Sequence, residues 1–470
     1  MTDEIQKKLA ELKPEKARRW NDILFSRVFS SVFEKELRYN RTAQAWMHYN
    51  GLNWEKDPGG LCAERLAKQF AAELLKYAAR IADDETRSAF VTRVNGYGKF
   101  QNRQTLIRDA RECAFVEQGQ FDAETRLYNL KNGTLDLETF QLLPHNPDHF
   151  LEKISGVYYD PFARSALFDR FINEIMEGDQ DKIRYLQRWH GYSLKGTAEE
   201  EKMLIELGKT TRNGKGTLNF VMLRMHGDYG ISAEPETIQQ RKRDSRAASG
   251  DIARLRAARF LNIAEPSRSM TIDAGLLKQL TGRDPITARH LHQSEFTFVP
   301  TFAPFMNCNA LPFVDDTTLF DSGRLQVITF DRHFSDAEQD RRLKDKLTTK
   351  EALSAAFNWC IAGLKMYGEE GLNQPKSVSY AVEDYKKAAD SIGRFISERL
   401  VVASPKHCLS AGEVFEKYQE WCADNGFATK SKSGFFDELK ARKMLANTGT
   451  INGRTLHNVI KCYDYACDNS

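Results

Sequence analysis

The sequence predicts a multidomain α/β protein: a phosphate-loop core between a mixed α+β N-terminal domain and a small C-terminal module of helices and a hairpin. Three observations carry this. An apolar run, Met203 to Leu207, enters a short polar loop, Gly208-Lys209-Thr210-Thr211-Arg212-Asn213-Gly214-Lys215-Gly216-Thr217. An amphipathic run follows, with Leu218, Val221, Met222 and Met225 at helical spacing. Downstream, further apolar runs end in acid or amide residues, as strands do when their ends line a site.

Composition bounds the rest. The chain has 470 residues, 41% hydrophobic and 28% charged, which suits a globular protein of roughly two to four domains. A net charge of +3 makes no polycation, so contact with nucleic acid must come from local patches. No apolar stretch of about 18 residues exists, so no membrane span is expected. The charged start, Met1 to Lys8, is not a secretory signal. Eight cysteines lack any Cys-x-x-Cys pair, with Cys462 and Cys467 the closest two. That argues against a zinc ribbon or disulfide framework and for a reducing, cytoplasmic setting.

In chain order, residues 1 to 38 read as helix, with Trp20, Ile23, Leu24, Val28, Val32 and Leu37 as an apolar stripe. Aromatic arms around Asn50-Gly51 predict a hairpin, and residues 62 to 92 read as helix again. Leu127 to Leu137 predicts two short strands around Asn132-Gly133. Pro144, Pro147 and Pro161 mark a boundary, and residues 165 to 195 read as helical. These signals divide the chain into an N-terminal domain over 1–145, a helical segment over 146–200, a nucleotide-binding core over 201–372 and a C-terminal domain over 378–470, with Gln374 to Ser377 as a linker. In the last domain, Ser410-Ala411-Gly412-Glu413 is a capping box before Val414, Phe415, Tyr418 and Trp421-Cys422. Asn425-Gly426 ends that helix, Ser433 to Lys443 forms a second, and Asn452-Gly453 turns a hairpin carrying Leu456, Val459 and Ile460. Helix, turn, helix and hairpin suggest a winged helix. Between Ala428 and Lys461 seven Lys/Arg stand against two Asp/Glu, which suits a phosphate-facing surface or the solvated face of a protein-interaction module.

The loop at 208–217 has the layout of a phosphate-binding loop, with backbone N–H groups and a helix N-terminus for phosphate oxygens and Lys215 for the outer phosphates. It departs from the plain pattern twice. Gly208 sits one residue early, and Gly216 follows Lys215, so a metal-binding hydroxyl falls to Thr217 or water. A nucleotide hydrolase also needs an acid, a γ-phosphate sensor and a cation for the transition state. Glu265, ending the run Arg259 to Ala264, is the candidate acid for water activation or metal. Asn309, ending Phe302 to Cys308, is the candidate sensor, with Asn307 as runner-up. Arg324, before the apolar run Leu325 to Phe330, is the candidate arginine finger. Lys215, Glu265, Asn309 and Arg324, in that order at successive strand ends, are jointly far more specific than any one.

With these residues in place, the chain resembles the superfamily 3 helicases, and within them the phage/plasmid primase-helicase group that includes the poxvirus primase-helicase. The similarity extends over Phe121 to Leu137, Pro144 to His149 and Gly191 to Gly196. It also takes in Asn213-Gly214-Lys215-Gly216-Thr217, Ala264-Glu265-Pro266, Leu277 to Arg289 and Asn309-Ala310-Leu311-Pro312. Arg324 matches one arginine where the group often shows two. The resemblance implies an AAA+-like P-loop ATPase core with a helical collar at 146–200, and ATP and Mg2+ as ligands. ATP would lie on Gly208, Thr211 to Thr217 and Leu218, with the metal near Thr217 and Glu265. It implies a ring homo-oligomer, a hexamer by family habit, with Arg324 acting across the subunit boundary. It further implies a hairpin over Leu277 to Arg289 that grips single-stranded or forked DNA, with Lys278, Arg283, Arg289, His290 and His292 as the donors. No primase constellation precedes the core, so a separate primase or initiator is expected. A second basic stretch, Ile238 to Phe260, carries seven Lys/Arg against two Asp/Glu, including Arg241-Lys242-Arg243; it suits a channel lining, a subunit face or a solvated loop. Two other classes fit parts of the pattern: a P-loop nucleotide kinase, and a non-catalytic DNA-binding loader acting through its C-terminal module.

Overall fold

The computed structural model describes residues 2–240, 250–267, 270–289, 291, 294–404, 407–425, 427, 429–451 and 454–466. The N-terminal part is a helical layer on a small sheet. Its first helices, Thr2–Leu12 and Asp22–Val32, are separate, because Asn21 caps the second by accepting from the Leu24 amide at 3.0 Å. That break rotates the expected stripe: Ile23 is exposed, while Phe25, Val28 and Phe29 are buried with Phe33, Phe70 and Tyr97. Leu37 opens a strand rather than closing a helix. Leu61–Ala78, Asp84–Asn95 and Phe100–Ala114 complete the layer. The sheet runs Trp54–Lys56, Ala45–Tyr49, Leu37–Asn40, Phe115–Val116. The hairpin around Asn50-Gly51 is present. Gly51 takes φ +97°, and the Asn50 side chain accepts from the amides of Leu52 and Asn53.

The strands Leu127–Leu130 and Gly133–Asp136 pair antiparallel, and Tyr128, Leu130 and Leu135 pack into one of the two apolar clusters of the central sheet. The elements of that sheet are α1 (Gln180–Lys195), β1 (Met203–Leu207), α2 (Lys215–His226), β2 (Gly230–Ala233), β3 (Phe260–Ile263), α3 (Ala274–Thr281), β4 (Ala303–Cys308), β5 (Leu325–Thr329) and α4 (Lys350–Glu370). All five strands are parallel, in the order β5-β1-β4-β3-β2. A parallel sheet covered on both faces reads as continuous apolar runs, and β1 is buried at every position. Met203, Ile205 and Leu207 face one cluster, and Leu204 faces the other. The second cluster includes α1, α2 and α4, and α1 meets α4 at two glycines. A Cβ on Gly191 would lie 2.1 Å from the Leu364 amide nitrogen, and one on Gly363 would lie 2.0 Å from the Gln187 carbonyl.

Gln374 to Ser377 is no extended linker. Pro375 stands at the start of the helix Lys376–Ala389, whose Tyr385 is buried against the sheet and donates to the Pro312 carbonyl at 2.6 Å. Beyond it, Cys408–Ser410, Arg454–Lys461 and Leu445–Ile451 form a three-stranded antiparallel sheet beside the helices Ala411–Asn425 and Lys432–Ala441. Val414, Phe415, Tyr418, Trp421 and Cys422 are buried there, as the capping-box reading expected, whereas Leu456 is exposed. Gly426, Asn452 and Gly453 lie outside the described residues. Among the described residues no helix is long and apolar enough to cross a membrane, and Cys62, Cys113, Cys308, Cys360, Cys422 and Cys462 form no disulfide.

Candidate functional site

The loop between β1 and α2 stands at the carboxyl edge of the parallel sheet, where crevices of such sheets bind ligands. Gly214 takes φ +89° and starts the helix. A Cβ on Gly208 would come within 2.0 Å of Asn213 Nδ2 and 2.3 Å of Lys215 Nζ, so the glycine is needed at 208, where the lysine folds back, and not at 209. Lys215 Nζ donates to Asn309 Oδ1 at 3.0 Å and to the Gly208 carbonyl at 3.4 Å. Burial pulls the ammonium below its usual pKa range, against the opposing pull of Cys308, Glu206 and Glu265.

A cavity of about 450 Å³ opens beside this lysine. Thr211, Arg212, Asn213, Lys215 and Gly216 form its loop wall. Glu265, Asn307 and Asn309 line it from the ends of β3 and β4. Lys215, Glu265 and Asn309 therefore converge. A segment after β5 straps the loop from outside: the Phe334 amide donates to the Arg212 carbonyl at 2.9 Å, His333 Nδ1 lies 2.8 Å from the Thr211 carbonyl, and Arg212, at φ +58°, pairs with Asp336.

Other expected residues lie elsewhere. Thr217 does not join Glu265. It lines a neighbouring cavity of about 500 Å³ with Arg212, Gly214, Leu167, Phe171 and Phe334. The reason is helical geometry: two steps of about 100° turn residue 217 away from the face of Lys215. Leu218 is fully buried in the core, its amide bonded to the Gly214 carbonyl at 3.0 Å, so its side chain has no ligand to meet. Arg324 is held within its own chain. It donates to the Glu201 carboxylate at 2.6 Å and to Thr281 Oγ1 at 2.7 Å. Lys278, on α3, pairs with Asp316 at 2.8 Å and reaches Thr318 at 2.9 Å, so it does not project from a hairpin. A hairpin does follow: Ile286–Ala288 pairs antiparallel with Phe296–Phe298. Arg283 is exposed just before it, and Arg289 follows its first strand. His290, His292 and Arg241 to Arg243 lie outside the described residues.

Sequence reasoning missed Glu206, Asn219 and Asn262. Glu206 is fully buried, and its carboxylate accepts from Asn219 Nδ2 at 2.5 Å. Asn219 also donates to Asn307 Oδ1 at 2.9 Å, and Asn307 donates to Asn262 Oδ1 at 2.6 Å. The available signal was an acid inside an otherwise apolar strand. Among the described residues, no three His, Cys, Asp or Glu side chains gather in a metal cage.

Fold and site define a multidomain mixed α/β protein with a lysine-bearing strand–loop–helix at the edge of a parallel sheet. Residues 26–177 match the family described as D5 N terminal like. The chain is 26% identical over 347 residues to an inferred helicase of Acanthamoeba polyphaga mimivirus, a stretch covering 67% of this chain and 35% of that protein. It is 22% identical over 352 residues to an inferred primase of African swine fever virus, covering 69% of this chain and 36% of that one. The chain thus spans about a third of the length of these relatives. Its fold is like that of the apo C-terminal region of NrS-1, with a TM-score of 0.50 at 10% identity over 94% of this chain and 100% of that one. These similarities ally the chain with D5-like primase-helicases.

Proposed function

We propose that this chain is the ATP-driven helicase part of a DNA-replication protein, with an AAA+-like core and a C-terminal winged helix. The observation that carries the reading is the convergence of Lys215, Asn309 and Glu265 on one cavity, with Lys215 and Asn309 already in contact. In this reading the loop amides and Lys215 hold the outer phosphates of ATP. Asn309 and Glu265 orient a water in line with the γ-phosphorus, and Glu265 takes its proton as the bond to the β-phosphate oxygen breaks. The neighbouring cavity, walled by Leu167, Phe171 and Phe334, takes the nucleoside, with Thr217 and Arg212 between base and phosphates. Magnesium, when bound, offsets phosphate charge; of the two expected ligands only Glu265 lines the phosphate cavity, and Thr217 does not.

The hairpin over Ile286–Phe298 contacts single-stranded DNA, and the helix Lys432–Ala441 with its following hairpin meets duplex at a fork. Subunits assemble as a ring in the cytoplasm, with a primase from another chain or another part of the replication protein. Arg324 serves a neighbour's ATP once its contact with Glu201 opens on assembly. The test is Lys215→Ala: ATPase and unwinding should both disappear, and DNA-stimulated ATPase surviving in that variant overturns the reading. Native mass with and without ATP tests the ring separately.

A further inference from the structure

We propose that Glu206, acting through Asn219 and Asn307, is a positioning residue that holds Lys215 against Asn309 across the cavity. The proposal rests on the ATPase reading and names a residue outside its set of catalytic groups. Glu206 sits on β1, directly across from Asn307 on β4 in the strand register. Asn219 lies one helical turn beyond Lys215 on α2 and covers both. Its Nδ2 donates to Glu206 Oε2, to Asn307 Oδ1, and at 3.1 Å to the Lys215 carbonyl. The network therefore ties the turn of helix carrying Lys215 to the strand that ends in Asn309. An apolar side chain would fill β1 without placing a carboxyl in the core, and burying a carboxyl is costly unless its oxygens are hydrogen-bonded, as Glu206 Oε2 is to Asn219.

Among the described residues, two atoms of the network lack hydrogen-bond partners: Glu206 Oε1 and Asn219 Oδ1, both buried. Both are acceptors when Glu206 is ionised, and a neutral carboxyl adds the one hydroxyl donor they lack. Burial raises the Glu206 carboxyl to about 7, opposed by the Asn219 hydrogen bond and by Lys215. The charged or titratable groups facing it are Lys215 from α2 and Cys308 from β4, whose thiol is pushed up to about 12 by burial; Glu265 faces the same lysine from the end of β3. The neutral acid completes the network. The ionised acid attracts the Lys215 ammonium away from Asn309.

The experiment compares wild type with Glu206→Gln, which keeps the shape and cannot titrate. ATPase is measured from pH 6 to 8, with binding of a fluorescent ATP analogue alongside. Relative to Glu206→Gln, the wild-type kcat falls about tenfold over this range, following the neutral fraction of one group with a pKa near 7, while KM changes by less than about twofold. Identical pH profiles for the two proteins overturn the proposal. A wild type that neither binds nor hydrolyses ATP overturns the ATPase reading itself, and this proposal with it. Thermal unfolding gives a second readout independent of turnover. The folded pKa is raised above the ordinary 4.5, so the stability linked to Glu206 is present below 4.5 and is lost as pH rises toward 7. Wild type should lose melting temperature relative to Glu206→Gln across that window, and parallel melting curves overturn the assignment.

Discussion

At the scale of single residues, Gly208 shows how the loop is shaped for its lysine. The Lys215 side chain folds back over the start of its own loop, into the space a Cβ on residue 208 would occupy. Gly208→Ala therefore displaces the side-chain ends of Asn213 and Lys215 rather than a packed backbone. ATP affinity is expected to fall on the order of tenfold, about 1.4 kcal/mol, with little change in melting temperature, as read by calorimetric titration and thermal denaturation. A loss of stability matching the loss of affinity would contradict it. Lys215 and Asn309 were legible in the sequence because the Gly-Lys pair and a strand-ending amide are local signals. Glu206 and Asn219 were not. An acid within Met203 to Leu207 and an amide on an amphipathic helix both read as unremarkable until strand register and helix phase bring them together. Thr217 was misplaced for the same reason, since the phase of α2 decides which cavity it lines.

Among elements, the pair α1 and α4 holds the helical face of the core. The glycines at 191 and 363 let the two backbones approach until no Cβ fits between them. Gly191→Ala meets backbone on all sides, with contacts at 2.1 Å to Leu364 N and 2.3 Å to Gly363 C, so the helices must separate. Overpacking of this kind costs about 1–3 kcal/mol or more, and a melting-temperature loss of roughly 5 °C is expected, with the ATP site intact at low temperature. An unchanged melting temperature would mean that the close approach is not required. Helical periodicity over 165 to 195 was readable in sequence, though it divides into Ala166–Ile175 and Gln180–Lys195 at the Gly178 turn. What α1 packs on was not readable, because Gly363 lies far along the chain and carries no periodic signal. Likewise Pro375 reads as a break, yet its fixed φ suits the first turn of a helix that Tyr385 then anchors to the core.

Across the whole molecule, the N-terminal layer is joined to the sheet by a buried ionic junction. Its arginine comes from the basic stretch Ile238 to Phe260, read from sequence as a channel lining, a subunit face or a solvated loop. Two of those cations are internal instead. Arg259 is fully buried against the carbonyls of Leu194 and Leu127, and Arg256 donates to the Phe121 carbonyl at 3.2 Å and pairs with Glu152. Arg256 also stands 3.7 Å from Asp122, whose carboxyl is raised above its usual range by burial and held down by Arg256 and by the Lys153 amide. Arg256→Ala leaves Asp122 as a buried charge without its counter-ion, a loss of about 3–5 kcal/mol in comparable sites. The sign of its pH dependence follows from the raised folded pKa. Stability is present where Asp122 is protonated and is lost as pH rises, so the variant's deficit is smaller at pH 5 than at pH 8. Melting curves at the two pH values, with limited proteolysis of the connection between residues 116 and 127, measure it. An equal deficit at both pH values would place the destabilisation in lost packing of the Arg256 side chain, and not in the charge that joins the two halves of the molecule.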